Sequence, residues 1–147
     1  MLGIRHGTAF KHASETLEGE EVILRLNSSH NSQLLYLIYL RDGTDSIGYC
    51  DLRLGHSKSL YYYGNIGYRI RKAYRGHGYA AKAVRLLLPV ARECGMDHLI
   101  ITASPENRPS IRTIEKLGAE FVETVEVPAW HPLFMSEKIK NIYRLEL

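Results

Sequence analysis

The segment Arg75–Ala80, which holds two glycines, is the feature that most constrains how this chain can fold. It lies between a strand-like run, Asn65–Ile70, and an amphipathic helix predicted to begin at Tyr79. Gly76 and Gly78 carry no side chains that would keep an anion from the backbone. Because the first N–H groups of a helix lack intrahelical partners and lie at the positive end of its dipole, this junction is suited to binding phosphate through main-chain amides. A tight connection that needs positive φ is the alternative interpretation.

The spacing of these glycines excludes the two commonest nucleotide-binding loops. No Lys-Ser/Thr pair follows them, and no glycine lies three residues beyond Gly78, where the dinucleotide fingerprint places its third. The pattern Arg75-x-x-Gly78-x-Ala80 does match the pyrophosphate-binding motif Arg/Gln-x-x-Gly-x-Gly/Ala of the GCN5-related N-acetyltransferases, the GNAT superfamily. At this turn the chain therefore resembles that superfamily.

The resemblance extends to both sides of the turn. Ile66–Ile70 is similar to the family's fourth strand, and Asn107–Ser110 running to Glu115–Ala119 is similar to its Asn-x-x-Ser/Ala to Lys-x-Gly-Phe segment. The similarity covers roughly residues 46–127, and motif, order and spacing agree together. The chain is identified as a member of this superfamily, and the resemblance implies its fold and its cosubstrate.

The pattern of apolar residues predicts the secondary structure. Strands are predicted at Glu21–Leu26, Leu34–Leu40, Ser46–Leu54, Gly64–Ile70, His98–Ala103, Phe121–Val127 and Asn141–Leu147, with Gly55–Tyr63 as a loop or ragged strand edge. A long helix is predicted from Tyr79, bent at Pro89 and ended by Gly95, and a shorter one over Ile111–Leu117 ended by Gly118. The fold class is therefore α+β: a GNAT-like mixed, mostly antiparallel sheet with a splayed central parallel strand pair and flanking helices.

Length and composition limit the class of protein. The 147 residues predict one domain over residues 1–147. No apolar stretch approaches the roughly 20 residues that cross a bilayer, and Met1–Thr16 lacks the apolar core of a signal peptide, so a cytoplasmic protein without a membrane partner is expected. The net charge of +3 is mild and dispersed, which argues against nucleic-acid binding. Cys50 and Cys94 are expected to be buried free thiols, and no metal site is predicted.

The resemblance implies that acetyl-CoA is the cosubstrate, with its pantetheine arm in the gap between the splayed strands. Gly67 is expected to mark either a bulge that turns main-chain groups toward the thioester or a packing gap. Asn107 is expected to contact the pantetheine arm, to cap the next helix, or both. The other predicted cofactor contacts are Ile70 and Arg71 for the pantetheine arm, Arg75 in the motif, and the amides of Gly76, His77, Gly78, Tyr79 and Ala80 for the pyrophosphate.

The chemistry implied is direct attack of an amine on the acetyl thioester, with backbone donors meeting the developing oxyanion. Many family members carry a tyrosine seven residues after the asparagine, placed to protonate the leaving thiolate. Here that position is Ile114, so the usual general acid is absent from the sequence pattern. Ser110 is the residue we expect to hydrogen-bond the cofactor or to relay a proton instead.

The acceptor side departs from the family pattern. Only Asn27–Gln33 separates the first two predicted strands, whereas the family usually inserts two helices there to wall the acceptor site. We expect an open acceptor site, completed by the loop Pro128–Lys140, by Tyr61–Tyr63, or by a second subunit of a homodimer. A buried hairpin cap is the alternative role for Trp130 in that loop.

Two functions from different classes follow from these residues. The first is an acetyl-CoA-dependent N-acetyltransferase that acts on a primary amine of a small molecule or a protein N-terminus. The alternative is a non-catalytic acyl-CoA-binding sensor or scaffold, which Ile114 and the missing acceptor helices would suit. Nucleic-acid binding is a third hypothesis, which the mild and dispersed positive charge does not support.

Overall fold

The computed structural model describes residues 14–147 of the chain. The expectation that no signal peptide is present concerns a segment that lies largely outside these residues. The first five strands form one antiparallel sheet in chain order. They are β1 (Thr16–Glu18), β2 (Val22–His30), β3 (Gln33–Leu40), β4 (Ser46–Arg53) and β5 (Ile66–Ile70).

The second sheet has three strands in the order β6-β8-β7, so the last strand lies between the other two. Its strands are β6 (His98–Ala103), β7 (Glu120–Glu126) and β8 (Ile139–Glu146). The α-helices of the described residues are α1 (Leu60–Tyr63), α2 (Tyr79–Glu93) and α3 (Arg108–Lys116), and short 3₁₀ turns cover Lys72–Tyr74 and Pro132–Met135. Within residues 14–147, no helix is long and apolar enough to cross a bilayer.

Asn65 joins the two sheets at one end. Its backbone N–H donates to the Ile100 carbonyl at 2.6 Å, and its side-chain oxygen accepts from the Ile100 N–H at 2.8 Å. The side-chain nitrogen of this fully buried residue donates to the carbonyls of Arg53 and Gly55, each at 2.8 Å. Past this point no strand ladder connects β5 to β6 in the described part of the chain, so the two strands splay apart as predicted.

The core lies under α2. The apolar face of this helix is buried at the positions that its spacing predicted, including Ala83, Val84 and Leu87, whereas Pro89 is exposed and the helix continues past it. Full burial of one leucine side chain contributes about 1.5–3 kcal/mol, so burial of this face stabilises the packing of the helix on the sheet. Gly95 follows the helix with a φ of +88°, which confirms the predicted left-handed end.

The turn between β2 and β3 is shorter than the sequence suggested. The strand predicted to end at Leu26 continues to His30, because the chain reverses through only Asn31 and Ser32, with φ of +48° and +62°. A register shift between Leu26 and Ser28 accommodates the polar end of the strand. No helix therefore lies between β2 and β3 in the described part of the chain.

The structure excludes one of the two alternatives for Gly67 and corrects one local prediction. The ladder between β4 and β5 runs without a register shift, so Gly67 does not form a bulge. A Cβ at Gly67 would collide with the Asp51 carboxylate and lie 2.6 Å from Arg53 Nη2, so the glycine makes room for the ion pair between the buried Asp51 and the half-buried Arg53. The segment Gly55–Tyr63 is neither wholly loop nor strand edge, because it ends in α1, whose first N–H is bonded by the Ser57 hydroxyl at 3.1 Å.

Candidate active site

A cleft of about 610 Å³ opens between β5, the start of α2 and α3, where the two sheets diverge. Its volume lies within the range of roughly 300–1,000 Å³ that is usual for small-molecule sites. Most of the residues that the sequence predicted for cofactor binding or catalysis line it. They are Ile70, Arg75, Gly76, Gly78, Tyr79, Ala80, Asn107 and Ser110.

Two predicted residues are not among those that line the cleft. The Arg71 N–H donates to the Ile47 carbonyl at 2.7 Å, and its guanidinium donates to the Ser46 carbonyl at 3.0 Å, so this residue is bonded to β4. The His77 ring is exposed and stacks on Tyr79, with ring centroids 5.3 Å apart. The amide of His77 nevertheless belongs to the same turn as the glycines.

The main-chain amides at the start of α2 lack protein partners. Gly76 and Gly78 have φ of +87° and +74°, and Gly78 is the residue before the first helical position. Within residues 14–147, none of the amides of residues 76–81 donates a hydrogen bond to another protein group, and the first helical bond runs from Lys82 N–H to the Gly78 carbonyl at 3.2 Å. A row of amides at the positive end of a 15-residue helix is a site for a negatively charged group.

Basic side chains surround these amides. Arg69, Arg75, Arg112 and Lys116 all line the cleft. The Arg75 side chain is fixed by a bond from its Nε to the Ile70 carbonyl at 2.8 Å. The Lys116 ammonium lies 3.6 Å from the position that a Cβ on Gly78 would take, so a cation stands beside the free amides. The cleft therefore combines oriented dipoles with positive charge, which suits a phosphate ester.

A pair of hydroxyl groups, from β5 and α3, also lines the cleft. The Tyr68 hydroxyl is 2.8 Å from Ser110 Oγ and donates to the Ser110 carbonyl at 3.2 Å. Burial raises the pKa of Tyr68 against the opposing effect of its hydrogen bonds to Ser110 and Thr113, so the hydroxyl keeps its proton at neutral pH. Asn107 caps α3, as expected, by accepting the Ser110 N–H at 3.3 Å. Ile114 is fully buried and adds no polar group here.

The sequence reasoning missed several residues of the cleft. Those not predicted are Tyr68, Tyr74, Pro109, Arg112, Thr113 and Lys116. A signal for Tyr68 was present, because residues two apart on a strand share a face and Tyr68 lies between Ile66 and Ile70 on β5. Arg112 and Lys116 are four residues apart on α3, so they share one helix face, but nothing local indicates that this face meets the cleft.

The two aromatic segments predicted for the acceptor side meet in space. The His131 ring is buried, lies 5.1 Å from the Tyr62 ring and 4.5 Å from the Tyr63 ring, and its Nε2 is 2.9 Å from the Ser59 carbonyl oxygen. Trp130 packs edge-on to Tyr62 at 6.0 Å and is 59% exposed, so it is not a buried cap. These residues form one aromatic cluster, with His131 at its centre.

The cysteines take no part in the cleft. Cys50 is buried and Cys94 is partly buried, and both are free thiols, as predicted. Burial and the neighbouring Asp51 raise the pKa of the Cys50 thiol far above its ordinary value, so this sulfur is not a nucleophile.

The two sheets are hydrogen-bonded through Asn65 and Ile100 and diverge beyond that point, where a glycine turn and a helix N-terminus lie at the open end. This arrangement is typical of an acetyltransferase domain of the GNAT type. The model of the acetyltransferase (GNAT) domain family matches residues 6–120, and the chain belongs to that family. The predicted α+β fold and family membership are thereby confirmed.

Individual relatives support the same class. The chain is 30% identical over 108 residues to the uncharacterized N-acetyltransferase YnaD of Bacillus subtilis strain 168, a match that covers 70% of this chain and 59% of that protein. The acetyltransferase of Salmonella typhimurium that modifies the N-terminal serine of 50S ribosomal subunit protein L7/L12 is similar in fold. It has a TM-score of 0.69 and 11% identity over 90% of this chain and 99% of that one.

A third relative was solved with a ligand. RimL, a ribosomal L7/L12 α-N-protein acetyltransferase in complex with coenzyme A, has a TM-score of 0.69 and 11% identity, with 90% of this chain and 98% of that one covered. At these identities the structural matches establish the fold alone.

Proposed function

We propose that this protein transfers the acetyl group of acetyl-CoA to a primary amine of a small molecule or a protein N-terminus. The observation that carries the proposal is the row of amides at residues 76–81, which have no protein acceptor within residues 14–147 and belong to a turn beside a cleft lined by Arg69, Arg75, Arg112 and Lys116. A diphosphate carries the negative charge that this arrangement complements. The RimL complex, in which a protein of the same fold holds coenzyme A, supports the choice of ligand.

The residues of the cleft fit such a ligand. Amides from Gly76 to Ala80 would hold the diphosphate, with Lys116 as an additional cation beside Gly78. The gap between β5 and α3 would take the pantetheine arm, since Ile70 and Asn107 line it and the Asn107 amide nitrogen is not used in capping the helix. Arg71 and His77 would contribute at most through their main chains.

The acceptor amine would attack the thioester carbonyl directly. The new C–N bond forms as the C–S bond breaks, the amine loses a proton, and the thiolate gains one. Tyr68 and Ser110 would supply that proton, because their hydroxyl groups are 2.8 Å apart and the pKa of Tyr68 is raised, which keeps it protonated. This pair would replace the tyrosine that the family places at the position of Ile114, one helical turn beyond Ser110. Ser110 would then relay the proton from Tyr68.

The acceptor would reach the thioester from the side of the β2–β3 turn, where other family members carry two helices and this chain has a tight turn. The two-residue β2–β3 turn leaves that side open, and the aromatic cluster around His131 offers a contact surface for the acceptor. An α-amino group, with a pKa near ~8, needs little help to lose its proton, so no strong base is required for that class of acceptor. The Salmonella relative, which modifies an N-terminal serine, supports a peptide α-amine as one acceptor.

We also propose that residues 1–147 act as one domain in the cytoplasm and that a second copy completes the acceptor side. The free thiols Cys50 and Cys94 suit a reducing compartment. The exposed Trp130 and Met135 leave apolar surface that a second copy could cover. Light scattering at several protein concentrations would test the dimer, and a purely monomeric chain would contradict it.

The test of the function is thiol release from acetyl-CoA across a panel of amines, with binding of CoA followed by calorimetry. Short peptides with free N-termini should be compared with the same peptides carrying a blocked N-terminus, so that hydrolysis and side-chain acetylation are separated from α-amine transfer. Acetylated product is expected only from acceptors with a free amine. Tight CoA binding without transfer to any amine would favour the non-catalytic sensor, and failure to bind CoA would contradict both functions.

A further inference from the structure

We propose that His56, Asp97 and His98 bind one divalent transition-metal ion, such as Zn²⁺, at the closed end of the two splayed sheets. Their nitrogen and carboxylate oxygen atoms all lie within 4.8 Å of one another. The site is independent of the proposed acetyl transfer, because the cleft opens at the other end of β5 and β6. No spacing in the sequence reveals it, since His56 follows β4 whereas the other two residues begin β6 more than forty positions later.

The donor set suits the ion. Imidazole nitrogen and carboxylate oxygen are common zinc ligands, held at about 2.0–2.2 Å, so two ligand atoms on one tetrahedral ion lie about 3.4 Å apart. His98 Nδ1 and Asp97 Oδ1 are already 2.6 Å apart, sharing a proton that a metal ion would displace. These two atoms therefore have to separate slightly, and the third donor, which lies within 4.8 Å of them, has to come to a similar distance from both.

His56 is the residue that must move. Its ring is stacked on His98 with centroids 4.0 Å apart and an angle of 4° between the planes. In parallel rings the nitrogen lone pairs point side by side, so the His56 ring has to turn before both nitrogens face one ion. His56 is exposed and the Asp97 side chain is 88% exposed, so both can turn without disturbing the core, whereas His98 is 18% exposed and fixed.

The backbone beneath these side chains is held on both sides. The Gly55 carbonyl, next to His56, accepts a hydrogen bond from Asn65 at 2.8 Å. The Asp97 carbonyl accepts from the Leu147 N–H at 3.0 Å, and His98 pairs with Glu146 across the sheet. The backbone of the three ligands is thus held close to the Asn65–Ile100 contact between the sheets. A bound ion would link the segment between β4 and α1 to the start of β6.

The surrounding charges permit a cation. Arg144 is the neighbouring positive charge, and its Nε is bonded to Glu146 Oε1 at 2.5 Å, which offsets it. Asp97 supplies the negative charge of the site.

The experiment uses the full chain stripped of metal by a chelator. Titration with zinc chloride in a calorimeter is expected to show one ion per chain, and the midpoint of thermal unfolding is expected to rise with zinc. His56→Gln and Asp97→Asn should each weaken binding by at least about tenfold and abolish the thermal shift. His30→Gln, which changes an exposed histidine at the β2–β3 turn, is the matched control and should leave both unchanged.

Two outcomes would overturn the metal site. One is a wild-type chain that takes up no zinc. The other is undiminished binding in the His56→Gln, Asp97→Asn double variant, which would place the ion elsewhere. Coenzyme A binding should be the same in all of these variants, so failure of the metal site and failure of the acetyltransferase proposal give different results.

Discussion

Gly78→Ala is the substitution that separates phosphate binding from backbone geometry at the glycine turn. Gly78 has a φ of +74°, which costs an alanine roughly 1–2 kcal/mol relative to its preferred conformations. The new methyl group would point toward Lys116 Nζ, 3.6 Å away, and therefore into the cleft beside the free amides. If the cofactor lies there, the methyl group pushes a phosphate oxygen from its donors.

The size of the effect follows from the hydrogen bonds lost. A hydrogen bond to a charged group contributes about 1.5–3 kcal/mol, so losing one weakens acetyl-CoA binding roughly ten- to 150-fold. Calorimetry with CoA measures this directly. Gly95→Ala is the matched control, because Gly95 has a φ of +88°, has no atom within 4 Å of its added Cβ, and lies at the far end of α2.

Both variants should lose a similar free energy of unfolding, of about 1–2 kcal/mol, in urea titrations. Only Gly78→Ala should lose affinity for CoA. Wild-type affinity for CoA in Gly78→Ala would refute the assignment of the diphosphate to this turn. Equal losses of affinity would show that backbone strain, rather than contact with the ligand, governs binding.

The remaining predictions concern the hydroxyl pair and the packing around β5. Tyr68→Phe should lower kcat for a confirmed acceptor roughly tenfold or more with little change in CoA affinity, and Ser110→Ala should do the same, since both serve proton transfer; an unchanged kcat in both would exclude the pair. Asn65→Ala should destabilise the fold by about 2–4 kcal/mol in urea unfolding, because three buried bonds are lost, and a change below about 1 kcal/mol would contradict its role as the joint. Gly67→Ala should cost about 1–3 kcal/mol because its methyl group meets the Asp51 carboxylate, and a neutral result would show that the ion pair can shift.

Local sequence determined most of the fold. The spacing of Ala83, Val84 and Leu87 predicted the buried face of α2, and the glycines around it predicted both of its ends. These features depend on residues a few positions apart, which a single sequence displays directly. The prediction of one long buried helix on a sheet was therefore confirmed.

Features that depend on distant residues could not be predicted in this way. Tyr68 and Ser110 are 42 positions apart, and only the fold brings their hydroxyl groups together. The sequence left a bulge and a packing gap open for Gly67, because the buried carboxylate that excludes a side chain there belongs to Asp51 on the neighbouring strand. Asn65 is a polar residue directly before an apolar strand, but nothing near it in the sequence indicates that it bonds to Ile100 and connects the two sheets.

The most direct test of the central claim is a crystal structure of the chain with CoA bound. The account predicts that the diphosphate accepts hydrogen bonds from main-chain amides within residues 76–81, with Lys116 nearby and the thiol directed toward Tyr68 and Ser110. A diphosphate bound elsewhere on the protein, with those amides turned away from it, would contradict the account.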